Sequence, residues 1–137
     1  MSNYSISEVS KKTGLSHSAL RYYEEIGLLT NVEHEGNKRI YTDEHLRRID
    51  GILCFKRTNL PINKILEFYS YEENLEQNIE DIIHLVENHE QSIIQEIDTL
   101  HHYLEHISDK VKYYKMVKEA LQQEQSIPEW DEVFGEK

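Results

Sequence analysis

The stretch that decides the fold runs from residue 5 to residue 29 and reads SISEVSKKTGLSHSALRYYEEIGLL. Ser5 is placed to cap a first helix, which we predict to end at about Thr13. A glycine follows where helices commonly end, and Ser16 is placed to cap a second helix, from His17 to about Ile26. Two short helices joined by so tight a turn predict a helix-turn-helix whose second member is the recognition helix.

The residues that follow predict a wing and two more helices. We expect a strand over residues 30–34, a turn over 35–38 and a second strand over 39–41. A helix capped by Thr42 should end near residue 59, and a shorter one should run from Ile62 to about Tyr69. A small β-ribbon directly after a recognition helix is typical of winged helix-turn-helix folds.

The second half of the chain has a seven-residue apolar period. Two interleaved sets of apolar residues, offset by four, predict the seam of a coiled coil. A helix from about Leu75 to Leu121 would be roughly 70 Å long, too long to cover its apolar stripe against a small head, so it must pair, most simply with a copy of itself. We expect the tail after it, which contains Trp130 and Phe134, either to fold back on the helix or to stay mobile. The predicted dimerisation residues are Ile79, Val86, Ile93, Ile97, Leu100, Leu104, Ile107 and Val111.

The charge is divided unevenly between the two halves. The chain has a formal net charge of -11, but residues 1–68 carry ten Lys or Arg against nine Asp or Glu, a net of +1, and the rest carries -12. A near-neutral first half with its cations on one face can bind DNA. One cysteine excludes an intrachain disulfide, and no apolar run is long enough to cross a membrane. We therefore expect a cytoplasmic protein.

Side chains on the recognition helix and wing are suited to DNA. Arg21 and Tyr22 lie one turn into the helix, where a guanidinium and a phenol can reach phosphates. His17 and Ser18, at the start of that helix, are better placed for base edges. At the wing tip, Lys38 and Arg39 put two cations where flanking DNA would lie.

Three motifs resemble those of the MerR family of bacterial regulators. They are LRYYEEIGLL at residues 20–29, GNKRIYTDEHL at 36–46 and LPINKI at 60–65, although Asn37-Lys38 stand where many members have Gly-Tyr. The resemblance implies a homodimer joined by antiparallel pairing of the long helices. It also implies an operator in a promoter spacer, which the protein bends and untwists so that RNA polymerase can engage both promoter elements.

The resemblance adds two tyrosines to the residues expected at the DNA, Tyr23 and Tyr41. For Tyr22 and Tyr23 the alternative is that they pack inside a small head.

The resemblance also bears on what the protein senses. Metal-sensing relatives have cysteines at both ends of the dimerisation helix, where this chain has none, and drug-sensing relatives have a large C-terminal domain. The chain resembles the short branch without that domain, in which some members respond to aldehydes or other electrophiles through a lone cysteine. Cys54 stands at that position, and the nearby Lys56 and Arg57 favour the reactive thiolate. The alternative is that Cys54 is a small buried apolar residue.

Metal binding and catalysis find little support in the sequence. His102 and His106 share a helical face, with His101 beside them, but such residues on an acidic helix are usually solvated surface. Neither a glycine-rich phosphate loop nor a nucleophile with a nearby base is present, so we expect no enzyme, no cofactor and no metal site.

The sequence thus predicts a mainly α protein. We expect a winged helix-turn-helix head over residues 1–71, a long antiparallel coiled-coil dimerisation helix over 72–121 and an acidic tail over 122–137. The predicted function is control of transcription from a promoter. The alternative is a DNA-organising or anchoring protein that uses the same head.

Overall fold

Two short helices begin the fold, as predicted. The computed structural model describes residues 2–135, with α1 over Ile6–Thr13 and α2 over His17–Glu25. The Ser5 and Glu8 side chains form a capping box at the start of α1, and Gly14 ends that helix with a φ of 78°. The amide of Ala19 donates to Ser16 Oγ at 3.0 Å, which caps α2. The tight turn of the predicted helix-turn-helix is therefore set by its two capped ends.

The wing is a small antiparallel sheet. Strands β1 (Asn3–Tyr4), β2 (Glu33–Glu35) and β3 (Lys38–Thr42) lie in the order β1-β3-β2. Strand β1 was not predicted from the sequence, and the first wing strand was predicted to begin too early, at residue 30. Asn31 has a φ of 61°, which interrupts extended backbone, so β2 begins only at Glu33.

Two further helices complete the head. They are α3 over Asp43–Arg57, which Thr42 caps, and α4 over Ile62–Glu72, which runs three residues beyond the predicted end. Between them Asn59 has a φ of 68° and Pro61 precedes the first turn of α4. The four head helices and the wing enclose one apolar core, in which each buried side chain contributes about 1.5–3 kcal/mol relative to exposure. Its most deeply buried members are Val9, Leu20, Leu28, Leu29, Tyr41, Ile49, Ile52 and Ile65.

The long helix, α5, runs over Leu75–Gln122 and confirms the predicted helix almost to the residue. The chain forms two compact units, a first over Met1–His89 and a second over Glu90–Lys137, and α5 contributes to both. Within the first unit, α5 contacts the end of α3 about four turns from its own start. The His89 ring lies 5.8 Å from the Phe55 ring, and its Nε2 lies 2.7 Å from Thr58 Oγ1.

The second unit contains the rest of α5 and a short helix, α6, over Trp130–Phe134. Tyr113 Oη donates to the Pro128 carbonyl at 2.9 Å, and the Trp130 ring lies 5.2 Å from the Tyr113 ring. Of the two alternatives for the tail, the described part therefore folds back on α5. Over the described residues, α5 and the other helices are too short or too polar to span a membrane.

Candidate DNA-binding surface

The recognition helix α2 exposes most of its predicted DNA-contacting side chains. Ser18, Arg21 and Tyr22 are exposed, Tyr22 to 48%, and His17 is half-buried. Positions 18, 21 and 22 are three or four residues apart and so share one face of the helix. This face combines a hydroxyl, a guanidinium and a phenol, all of which can donate hydrogen bonds to phosphate or base oxygens.

Two of the predicted tyrosines lie in the core instead. Tyr23 is 2% exposed and accepts a hydrogen bond from Lys56 Nζ at 3.2 Å. Tyr41 is fully buried, burial raises the pKa of its phenol, and its hydroxyl has no hydrogen-bond partner among the described residues. Because a buried side chain is out of reach of DNA, we leave Tyr23 and Tyr41 out of the DNA-contacting set proposed below.

A groove of about 520 Å³ lies between the start of α1, the recognition helix and the wing. Three cations line it, and Glu35 is the one carboxylate among the described residues of its lining. Ser5, Ile6 and Ser7 bring the positive end of the α1 dipole to the same groove. The groove is thus suited to an anion such as a DNA phosphate. The three cations are Arg21, Lys38 and Arg39.

Glu24 joins the recognition helix to the wing. Its Oε1 accepts a hydrogen bond from Arg39 Nε at 2.7 Å, and its Oε2 lies 2.8 Å from His34 Nε2. Partial burial alone would raise the pKa of Glu24, but the hydrogen bonds from Arg39 and His34 outweigh it and hold that pKa below its ordinary value. Neither Glu24 nor His34 was predicted from the sequence to belong to this surface. The available signal was that a two-residue turn at Gly36-Asn37 pairs His34 with Arg39 across the hairpin.

His45 holds the chain that leads into the wing. The Thr42 amide donates to His45 Nδ1 at 2.9 Å, so Nε2 carries the proton and donates to the Thr30 carbonyl at 2.8 Å. Arg48 acts similarly, since its Nε donates to the Leu28 carbonyl at 2.6 Å. These residues connect α3 to the loop between α2 and β2, and sequence reasoning missed them. The third-position spacing of His45 after the Thr42 cap was the available signal.

Comparison with known proteins identifies the family. Residues 4–72 match the family model described as MerR HTH family regulatory protein. The chain belongs to the MerR family. A Haemophilus influenzae protein described as an uncharacterized HTH-type transcriptional regulator is 30% identical over 117 residues, which cover 84% of this chain and 86% of that protein. The regulator YfmP of Bacillus subtilis is 28% identical over 121 residues, 85% of this chain and 86% of YfmP.

A solved MerR-family structure shares the fold. HiNmlR, a MerR family regulator lacking the sensor domain, was crystallised bound to promoter DNA. It is 28% identical, and the match covers 85% of this chain and 89% of HiNmlR with a TM-score of 0.79. This chain is therefore a MerR-family helix-turn-helix transcriptional regulator whose winged head and long helix follow the family architecture.

Cys54 of this MerR-family chain is exposed on α3. The alternative that it is a buried apolar residue is wrong, because the apolar positions around it, Ile52 and Leu53, face the core while Cys54 faces outward. Its carbonyl accepts a hydrogen bond from Thr58 Oγ1 at 2.7 Å, and the same hydroxyl contacts His89 of α5. Cys54 therefore lies one turn before the contact between the end of α3 and α5.

The predicted dimerisation residues are largely exposed along α5. In the first unit Ile79 is 42% and Val86 36% exposed, and in the second unit the exposed fractions of the others rise to 59% at Leu100. Ile93 alone in the set is half-buried. Large apolar side chains so exposed at heptad spacing form a continuous unpaired seam within each unit. The other exposed members are Ile97, Leu104, Ile107 and Val111.

The histidines of α5 do not gather into a metal site in the described part of the chain. No three His, Cys, Asp or Glu side chains there are arranged to hold one ion. The His106 ring instead lies 6.4 Å from the Trp130 ring, within the contact between α5 and the tail.

Proposed function

We propose that this MerR-family regulator binds a promoter as a homodimer and controls transcription from it. The observation that carries the proposal is the cationic groove between α1, Arg21 and the wing, beside the exposed face of the recognition helix. The relationship to HiNmlR, which was crystallised on promoter DNA, supports it. We propose that some side chains of this surface contact phosphates and that others contact base edges.

Phosphate contacts would fix the register of the head on DNA. Arg21 and Lys38 supply the cations, and the exposed phenol of Tyr22 donates to a neighbouring phosphate. His17 and Ser18, in the first turn of α2, read base edges in the major groove. In this proposal the dimer bends and untwists the spacer so that RNA polymerase can engage both promoter elements. Such deformation costs about 1–6 kcal/mol, which these phosphate contacts offset.

Dimerisation is proposed to occur along the exposed seam of α5, with the two helices antiparallel. The charge along α5 favours that direction. Residues 75–109 hold nine Asp or Glu and no Lys or Arg, whereas residues 110–122 hold four Lys and one Glu. An antiparallel pair brings the basic end of each helix toward the acidic part of the other, while a parallel pair would set like charges side by side.

Selection of binding sites from random DNA, followed by transcription in vitro from the selected site and from the gene's own upstream region, tests the proposal. We expect one palindromic site inside a promoter, and transcription from it that depends on the protein. Arg21→Gln and Lys38→Gln should weaken binding, whereas Lys112→Gln, which removes a cation from α5, should not. Binding to many dispersed sites without an effect on transcription would instead support a DNA-organising or anchoring protein.

We infer further that Cys54 makes the regulator responsive to electrophiles. An exposed thiolate can add to the carbonyl carbon of an aldehyde, so that an S–C bond forms, the C=O π electrons move to oxygen, and that oxygen takes up a proton. The added group would stand one turn from the Thr58–His89 contact, where α3 meets α5. A shift of α3 relative to α5 at this contact would change the position of the head and thereby the deformation of bound DNA.

Comparing wild type with Cys54→Ala in the same transcription assay, with and without methylglyoxal, tests this role. We expect the aldehyde to raise transcription with wild type only, while both proteins bind the site equally. An equal response of both proteins, or of neither, would mean that Cys54 does not sense the aldehyde and that regulation uses a non-covalent ligand.

A further inference from the structure

Arg39 occupies a different environment from its neighbour Lys38 on the wing. Lys38 is exposed, whereas the Arg39 side chain is 24% exposed and its Nε is bonded to the Glu24 carboxylate. The second oxygen of that carboxylate is held by His34, the residue directly opposite Arg39 in the β2–β3 pair. Because opposite residues of an antiparallel pair point to the same face, one carboxylate on α2 holds both strands of the hairpin.

Strand β2 has few other attachments. Glu33, His34 and Glu35 are all exposed, so the strand buries no side chain of its own. In the part of the chain that the structure describes, the His34–Glu24 contact is the one side-chain hydrogen bond made by β2. The backbone pairing with β3 and this carboxylate therefore set where the outer strand of the wing lies against the recognition helix.

We propose that Glu24, His34 and Arg39 form a wing clamp, and that Arg39 and Glu24 position the wing for DNA rather than bind DNA themselves. This inference rests on the proposed function, since it assigns roles within the same surface. A head that holds its recognition helix and wing in the DNA-bound arrangement before binding loses less freedom on binding.

The opposing possibility is that Arg39 contacts a phosphate directly. A guanidinium has five N–H donors, and the bond to Glu24 described here uses the one on Nε. The two roles predict different salt dependence. The logarithm of the binding constant falls linearly with the logarithm of the salt concentration, and each phosphate that a cation neutralises makes this slope steeper by about 0.9. A residue that acts through wing position changes affinity without changing that slope.

The test measures binding of full-length variants to the selected site by fluorescence anisotropy over a series of KCl concentrations. The variants are Arg39→Ala, Glu24→Ala, the double variant and, as the matched loss of a cation from the same hairpin, Lys38→Ala. We expect Lys38→Ala to lower the slope by about 0.9 for each head. Arg39→Ala should weaken binding about two- to fivefold per head, the range for a partly exposed ion pair, with the wild-type slope.

Glu24→Ala separates the two roles most sharply. Removal of a negative charge near DNA would by itself tighten binding, whereas loss of the clamp weakens it, so we expect Glu24→Ala to weaken DNA binding. The double variant should bind DNA no more weakly than either single variant, because each single change already breaks the clamp. A reduced slope for Arg39→Ala, or wild-type or tighter binding by Glu24→Ala, would overturn the clamp.

Hydrogen exchange in the DNA-free protein keeps this inference separate from the proposed function. Glu24→Ala should speed exchange of backbone amides in β2 and β3 and leave α3 unchanged. Equal exchange in the wing of both proteins would overturn the clamp. Absence of any specific DNA binding by wild type would instead overturn the proposed function and leave the exchange result to decide the clamp.

Discussion

Glu24 has to stay ionised to accept hydrogen bonds from both strands of the wing hairpin. Its pKa in the folded protein lies below the ordinary value of 4.5, because Arg39 and His34 outweigh the effect of partial burial. A carboxyl group with a depressed folded pKa stabilises the fold above its ordinary pKa, and this contribution is lost as the pH falls through the folded value.

Acid unfolding should reveal this contribution. Between wild type and Glu24→Gln, we expect a difference in free energy of unfolding that is fully present at about pH 5 and shrinks as the pH falls below 4.5. Urea unfolding at a series of pH values measures it. A difference that grows as the pH falls below about 5 would contradict the assignment of the depressed pKa to Glu24.

Tyr41 provides a second prediction at this scale. Because its buried hydroxyl has no partner among the described residues, Tyr41→Phe should leave stability unchanged or raise it by about 1 kcal/mol. Tyr23→Phe is the matched control, since it removes a hydroxyl that does accept a hydrogen bond, from Lys56, and it should lower stability. Thermal unfolding measures both variants, and only Tyr23→Phe should lower the melting temperature. A loss of stability in Tyr41→Phe would mean that its hydroxyl is bonded.

Individual side chains were the least predictable part of the molecule. The motif containing Tyr22 and Tyr23 does not say which ring faces DNA, but Tyr23 is three residues after the buried Leu20 and shares its helical face. Along β3, Tyr41 follows Arg39 by two residues and lies on the same side of the strand. The inward direction of Tyr41 follows from the packing of α1 and α3 against β3, and that of Tyr23 from the packing of the head helices, which one sequence does not specify.

The elements were predictable wherever capping residues and apolar periods agree. Both helices of the helix-turn-helix begin at the predicted serines, and α5 ends within a residue of its predicted end. Errors occurred where a single backbone angle or a long-range pairing determines whether a strand forms and where it begins. Asn31 turns the chain with a positive φ, and β1 exists because Asn3 and Tyr4 pair with β3, far along the chain.

The packing of α3 against α4 predicts that alanine in place of Gly51 lowers stability, although helix propensity alone predicts that it raises stability. A Cβ added at Gly51 would lie 2.5 Å from Tyr69 Oη, and Tyr69 is buried. Alanine is the better helix former by about 1 kcal/mol, but overpacking a core costs about 1–3 kcal/mol. We therefore expect Gly51→Ala to destabilise the head.

Urea unfolding of Gly51→Ala, of Tyr69→Phe and of the double variant provides the measurement. Removal of the tyrosine hydroxyl makes room for the added methyl group, so the double variant should be more stable than Gly51→Ala. Should Gly51→Ala alone be stabilising, the contact with Tyr69 would be looser than the structure indicates.

At the scale of the whole molecule, heptad spacing predicted which face of α5 is apolar. That a second copy of the chain covers this seam, and that the two helices are antiparallel, stay proposals. The division into residues 1–71, 72–121 and 122–137 likewise stays a prediction. A period in the sequence identifies which face of a helix is apolar, and charge along α5 adds a preferred direction. Neither one specifies where a second chain lies.

A matched pair of isoleucines tests the seam. Ile97 and Ile94 are each 51% exposed on α5, but only Ile97 belongs to the heptad sets. We expect Ile97→Glu to dissociate the dimer, because two buried isoleucines, one from each protomer, are worth about 3 kcal/mol or more. Ile94→Glu should remain dimeric. Sedimentation velocity at micromolar concentration distinguishes them, and equal behaviour of the two variants would contradict the proposed seam.

The folded-back tail can be monitored by the fluorescence of a tryptophan that it contains. Its only tryptophan, Trp130, lies with its ring 4.5 Å from Phe134, 5.2 Å from Tyr113 and 5.6 Å from Lys110 Nζ. Undocking of α6 would move the indole into water and shift its emission to longer wavelength. Because all of these groups belong to the second unit, tryptophan emission excited at a wavelength that tyrosine does not absorb follows the tail and not the head. A change in that emission upon DNA addition would therefore mean that binding at the head alters the surroundings of Trp130.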